Sequence, residues 1–284
     1  MGNSQKETLI KSNRRLFDLE LTDFFRYKDL LYLLVRRDLV TSYKQTILGP
    51  FWVVIQSLMG TAVFTVIFGE IAKISTDGHP SFLFYLSGMI GWQYFGSVMG
   101  LGACSLQANL NLFSKVYFPR LIPPISQSIS ALLNFVIQLL VFYLALLVHN
   151  QATSQAGITI DYKIIFIPLL VLQSAIFGLG IGFIFSALST KYRDFSRISG
   201  QFTQLIMYGT PVIYPASAIP NHYEFLMMWN PLAFIVESYR EILLGHSTAC
   251  NLEHALPSIL VTLVIFFCGL VLYNKAQRTY VDFV

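Results

Sequence analysis

Charge is what this sequence has least of. Only 12% of its 284 residues are Asp, Glu, Lys or Arg, about half the share of an ordinary soluble domain. A water-covered globule is excluded on that ground. The length alone would suit one domain or two. No lysine follows a glycine anywhere in the chain. There is therefore no G-x-x-x-x-G-K-[ST] loop, and ATP phosphates cannot be cradled in that way. The three cysteines, Cys104, Cys250 and Cys268, are odd in number and far apart, which argues against a disulfide framework or a metal cluster. No H-E-x-x-H, C-x-x-C or Ser-His-Asp pattern is present. The histidines (His79, His149, His222, His246, His254) show no pair at ligand spacing.

What fills the chain instead is apolar sequence: 55% hydrophobic residues and a mean hydropathy of +0.59. Six charge-free runs stand out, Phe51–Gly69, Ser81–Ala108, Leu121–Val148, Ile164–Thr190, Ile198–Tyr223 and His254–Asn274. A helix rising about 1.5 Å per residue crosses a hydrocarbon core of about 30 Å in about 20 residues. Backbone groups left unpaired in lipid are costly, so the runs are expected to be helices; alternating segments of about ten residues, as a β-barrel needs, are not seen. The fifth run is interrupted by Pro211, Pro215 and Pro220. The first fifty residues are polar, without an apolar core near Met1, so the first span is expected to act as the insertion signal.

The positive charges are sorted. Sixteen of the nineteen Lys and Arg residues fall in the N-terminal segment, in the loops after spans 2 and 4, and in the tail; only Lys73, Lys163 and Arg240 fall on the other side. The positive-inside rule then puts both termini in the cytoplasm. The carboxylates of the outer side (Glu70, Asp77, Asp161, Glu224, Glu237, Glu241, Glu253) are dispersed, which makes a membrane-bound transferase the lesser alternative.

Two segments are not plain spans. In Phe24–Leu39, Tyr27, Leu30, Leu31, Leu34 and Val35 recur at helical spacing while Arg26, Asp29, Arg36 and Arg37 fall largely elsewhere, predicting an amphipathic helix at the cytoplasmic interface. A simple membrane anchor is the plainer alternative. Between spans 5 and 6, Pro211–Gly245 is too apolar for a solvated loop, yet its pieces are too short to cross. A re-entrant pair of half-helices, broken at Asn230-Pro231, meets both constraints; an external loop resting on the bilayer is the competing reading. Within the spans the polar content is neutral, which argues against proton or sodium coupling. Gln127, Ser130, Asn134 and Gln138 share one face of span 3, and Gln201, Gln204 and Tyr208 one face of span 5. Both stripes read first as interhelical hydrogen-bond seams. Gly96-x-x-x-Gly100 and Gly178-x-Gly180-x-Gly182 read as close-packing sites.

The short inner loop "KVYFPRLIPP" (Lys115–Pro124) carries aromatic residues and a proline as well as its charges. Basic residues alone would suit anionic lipid heads; Tyr117, Phe118 and Pro119 with Lys115 and Arg120 suit docking into a groove of a soluble partner better. Together with "RRDLVTSYKQTILGPFW" (Arg36–Trp52), "YRD" (Tyr192–Asp194) and "WNPLAFIVESYREILLG" (Trp229–Gly245), this loop resembles the permease subunits of polysaccharide-exporting ABC transporters, from about Phe24 to the C-terminus. The resemblance implies an all-α integral membrane protein of six transmembrane helices, with an N-terminal extension (1–23), an interface helix (24–48) and a six-span permease domain (49–284). It implies a homodimer with two copies of a separate ATPase subunit, which would hold the ATP and Mg; this chain would need no cofactor. Lys115, Val116, Tyr117, Phe118, Pro119 and Arg120, with Tyr192, Arg193 and Asp194, would couple to the ATPase. Tyr27, Arg36, Arg37, Tyr43 and Lys44 would form the cytoplasmic gate and meet the lipid head group. Tyr214, Phe225, Trp229, Asn230 and Pro231 would form the periplasmic gate. The implied cargo is a glycan on an undecaprenyl-type lipid in the bacterial inner membrane, with membrane lipids as further partners and no nucleic acid. Exporters of capsule, teichoic acid, lipid or drug share the architecture.

The charge sorting is open to a direct check. In a background without the native cysteines, single cysteines replacing Asp77 and Lys191 should label differently with a membrane-impermeant thiol reagent in spheroplasts. Only the first should react; equal labelling would overturn the orientation.

Overall fold

The structure, a computed structural model, describes residues 27–44, 46–109, 113, 118–152, 162–192, 194–245 and 252–281. Every regular element among them is helical. In chain order these are α1 (Lys28–Tyr43), α2 (Phe51–Phe64, prolonged by a wider π turn, Thr65–Ile71), α3 (Ser81–Ala108), α4 (Ile122–Ala152), α5 (Ile167–Lys191, led by a 3-10 turn, Tyr162–Phe166), α6 (Asp194–Tyr208), α7 (Glu224–Met228), α8 (Pro231–Leu244) and α9 (Leu252–Val281). Four stretches are long and apolar enough to cross a membrane: Phe51–Ile71, Ile122–Ala152, Tyr162–Lys191 and His254–Gln277. Helix α3 has the length, at 28 residues, but Ser, Gly, Gln and Tyr make it less apolar than those four.

That composition suits the place of α3. It is the hub, packed chiefly on α5 and α4, then on α8, with lesser contacts to α2 and α6. Small residues let it come close. A Cβ on Gly102 would sit 3.3 Å from the Cα of Gly182, and one on Gly178 would sit 3.1 Å from Val98. The same device joins α5 to α9, where Gly180 faces the backbone of Phe266. Aromatic rings fill the remaining space, as in the stacked Phe95–Phe177 pair at 5.5 Å. The Gly178-x-Gly180-x-Gly182 stripe is thus a packing site, as its spacing suggests. In the other pair, Gly96 lies against Thr203 while Gly100 meets nothing.

The fifth apolar run, Ile198–Tyr223, is not one helix. Helix α6 stops at Tyr208, and 209–223 continues as turns and two short 3-10 pieces, Ala216–Ala218 and Asn221–Tyr223. The prolines account for this: each removes a backbone donor and crowds the turn before it. After α7, Asn230 caps α8 by accepting from the Leu232 N–H at 3.0 Å, and Pro231 takes the first helical position, where its missing N–H costs nothing. Gly245 closes α8 at a left-handed φ of 80°, the usual glycine stop.

The tightest helix contact yields a prediction. A Cβ on Gly269 would lie 2.2 Å from the carbonyl oxygen of Gly180, so α5 and α9 must part to accept it. Gly269→Ala should cost about 1–3 kcal/mol by overpacking, read as a lowered melting midpoint in detergent. An unchanged midpoint would show that this contact does not hold the two helices.

Candidate functional site

The basic end and the opposite end of the bundle each gather residues that the sequence singles out. At the basic end, α1 lies along α4. Its apolar stripe (Tyr27, Leu30, Leu31 and buried Leu34) closes over Phe118 and Ile122. Phe118 is 5% exposed and its ring meets Phe113 at 5.5 Å. The Phe118 ring is thus covered by α1 rather than held out from the loop, which takes its apolar surface out of water. Pro119 beside it is buried too.

Polar groups complete this seam. The Tyr43 hydroxyl donates to Asn134 Oδ1 at 2.5 Å, and burial pushes the Tyr43 phenol up, keeping its proton on. The Ser126 hydroxyl donates to Asp38 Oδ2 at 3.4 Å, while Arg37 pairs with the same carboxylate at 2.7 Å. Gln138 Nε2 donates to Gln93 Oε1 on α3 at 2.5 Å. The span 3 stripe is therefore an interhelical seam at Asn134 and Gln138. The stripe on α6 is not: Gln201, Gln204 and Tyr208 face outward, exposed.

Arg120 is tied inward as well. Its guanidinium donates to the Gln277 carbonyl and lies 5.5 Å from the Phe113 ring centroid. Its own carbonyl accepts from the Tyr273 hydroxyl at 3.0 Å. Tyr273 is fully buried, and its oxygen accepts in turn from Ser105 on α3 at 3.4 Å. Arg36, Lys44, Tyr192 and Asp194 are exposed at this end; Asp194 opens α6, where a negative charge suits the helix N-terminus. Lys115, Val116, Tyr117 and Arg193 lie outside the described residues.

At the opposite end, Phe225 on α7 is 67% exposed and pairs with Trp229 at 6.0 Å. Tyr214 is half-buried, its hydroxyl donating to the Tyr208 carbonyl at 3.1 Å. With Tyr223, Leu226, Met227 and Ile74 it lines an open cleft of about 560 Å³. Asn230 and Pro231 start α8 below it. The sequence reading missed what lies behind: Glu237 and Arg240, taken as scattered outer charges, form a buried pair at 2.9 Å. Arg240 is 2% exposed and stacks on Phe84 with its Cζ 3.8 Å from the ring centroid. The signal was available: an i, i+3 acid–base pair inside a segment too apolar to be a loop. Outside it, Lys163 meets Glu241 at 2.5 Å, and the Ser217 hydroxyl donates to Asp77 at 2.8 Å.

A family model, ABC-2 type transporter, matches residues 29–244. The chain belongs to the ABC-2 type transporter family. Among its relatives is the O-antigen export system permease protein RfbA of Klebsiella pneumoniae, 27% identical over 254 residues, 89% of this chain and 94% of the relative. RfbA of Myxococcus xanthus is 24% identical over 92% of this chain and 97% of its own length. The polysialic acid transport protein KpsM of Escherichia coli is 27% identical over 85% and 91%. The ABC-2 match begins at residue 29, so it takes in α1 and runs through α2 to α8, closing at the end of α8 and before α9.

Of the seam residues in this ABC-2 member, Phe118 is expected to matter most. Phe118→Ala should cost about 3 kcal/mol as a cavity, and Tyr43→Phe about 1 kcal/mol as a lost hydrogen bond. Both should speed hydrogen exchange in α1 while α3 stays protected. Unchanged exchange in α1 would mean that it is held elsewhere.

Proposed function

We propose that this chain is the membrane-spanning subunit of an ATP-driven exporter that carries lipid-linked polysaccharide, an O-antigen-like glycan, across the bacterial inner membrane. The observation that carries this is the likeness, over 85–92% of the chain, to permeases named for O-antigen export and polysialic acid transport. The chain is a transport component without a phosphate loop of its own, so the energy comes from a separate ATPase subunit that holds ATP and Mg.

Two copies of this chain build the channel, with six spans each and both termini in the cytoplasm. Support comes from the surfaces that one copy leaves open. Helix α2 buries few of its residues within the chain, and α6 turns Gln201, Gln204 and Tyr208 outward. Neutral amides and an aromatic edge suit a sliding glycan: they hydrogen-bond sugars without holding them as ionic groups would. Lys115–Arg120 and Tyr192–Asp194 receive the ATPase. Its motion reaches α1 through Phe118 and α9 through Arg120. Arg36, Arg37 and Lys44 meet the lipid head, with Tyr27 and Tyr43 holding the helix that carries them. At the far end α7 and α8 form the re-entrant pair, where Tyr214, Phe225 and Trp229 close the exit.

Deleting this chain from its host should remove the polysaccharide from the cell surface and leave lipid-linked glycan inside. The wild-type chain should restore export and copurify an ATPase, and Tyr117→Ala should weaken that copurification. A deletion strain with normal surface glycan, or a chain that purifies without any ATPase, would sink the proposal.

A further inference from the structure

The segment 209–216, just after α6, has lost the hydrogen bonds of a helix. Pro211 and Pro215 contribute no N–H, and its carbonyls no longer meet a partner four residues on. Thr210 to Ile213 and Pro215 are buried, so the lost bonds must be replaced. The replacements come from one face of α8. Asn230 Nδ2 donates to the Gly209 carbonyl at 3.1 Å. Arg240 sends one guanidinium nitrogen, Nη2, to the Val212 carbonyl at 2.5 Å and the other, Nη1, to the Tyr214 carbonyl at 3.3 Å. Glu237 Oε1 accepts both from Arg240 Nη1 at 2.9 Å and from the Ala216 N–H at 3.2 Å. Positions 230, 237 and 240 are spaced by seven and three, one face of a helix. On the other side Phe84 stacks on the guanidinium, and the absent side chain of Gly88 leaves it room: a Cβ there would fall 2.8 Å from Arg240 Nη2.

We infer that Arg240, oriented by Glu237, is the positioning residue of the outer gate: its forked guanidinium welds the 212–216 turn to α8, so that the turn carrying Tyr214 and the helix move as one body. This rests on the proposed reading of that end as the exit of an exporter. Arginine suits the task and lysine does not, because two carbonyls two residues apart need two donors held in a fixed fork. The carboxylate offsets part of the cost of burying that charge. Opening the exit then requires α8 to shift against α3, rather than the turn to flap alone.

The test reads the turn itself. In full-length protein with Cys104, Cys250 and Cys268 replaced by alanine, Ile213→Cys places a thiol in the turn and Val98→Cys a control thiol in α3; both positions are buried. Arg240→Met keeps the stem over Phe84 and removes the fork. It should raise the maleimide reactivity at position 213 about tenfold or more and leave position 98 protected, with Arg240→Lys in between. Reactivity at 213 unchanged from the Arg240 parent would overturn the inference. A rise at both positions would overturn it as well, since the pair would then be holding the bundle and not the turn. In proteoliposomes with the copurified ATPase, Arg240→Met should pass small hydrophilic solutes without nucleotide while ATP hydrolysis persists; a sealed vesicle would remove the gate assignment. The thiol readout needs no cargo, so a failed export reading leaves it standing.

Discussion

A peptide group inside hydrocarbon has no water to bond, and the rest of this architecture follows from that constraint. Where the chain can pair its own backbone it does so as long helices. Where prolines forbid a helix, side chains must supply the missing partners. Asn230, Glu237 and Arg240 do this for 209–216. The cost of burying an ion pair is met by four further contacts: two carbonyls, an amide and the Phe84 face. A buried pair with fewer partners would be a liability. Here the charge does work that no apolar residue could do, since only a donor can satisfy a carbonyl.

The same economy shapes the basic end by different means. Tyr273 and Arg120 bind the loop after α3 to α9, and Phe118 binds it to α1. The loop is thereby tied to two helices that are far apart in sequence. The glycine contacts of α3 with α5, and of α5 with α9, bring backbones close enough that these helices can hardly slide past one another. The three helices form one tightly packed unit between the two ends.

Much of this was legible in the sequence. The long apolar runs, the helix Lys28–Tyr43 with its Tyr27–Leu34 stripe, the break at Asn230-Pro231 and the packing at Gly178, Gly180 and Gly182 could be read because each rests on local chemistry: periodicity, proline geometry, the absence of a Cβ. The errors lie where the partner is distant. Phe118 stands in sequence in an aromatic, proline-broken loop between Lys115 and Arg120, and nothing there tells that its neighbours in space are leucines of α1. Gln201 and Gln204 looked like the Asn134 and Gln138 seam because a single helix cannot say which side of it is occupied. Glu237 and Arg240 were counted among the scattered charges of the outer side; their spacing offers the pair, but nothing nearby in the chain tells that Phe84 and Val212 enclose it.

The distribution of charge closes the account. Among the described residues, ionic groups are kept to the basic end, to the outer rim, and to one enclosed pair; the outward face of α6 presents amides and a phenol. A polymer of many sugar units meets each side chain again and again as it passes. A fixed charge would bind each repeat and slow the next, whereas a neutral hydrogen-bonding face is left as easily as it is reached. An ion pair enclosed by two carbonyls, an amide and an aromatic face, as Glu237 with Arg240 is, shows little charge to such a cargo. On the proposed reading of this end as the exit, it can stiffen the exit without becoming a place where the chain sticks.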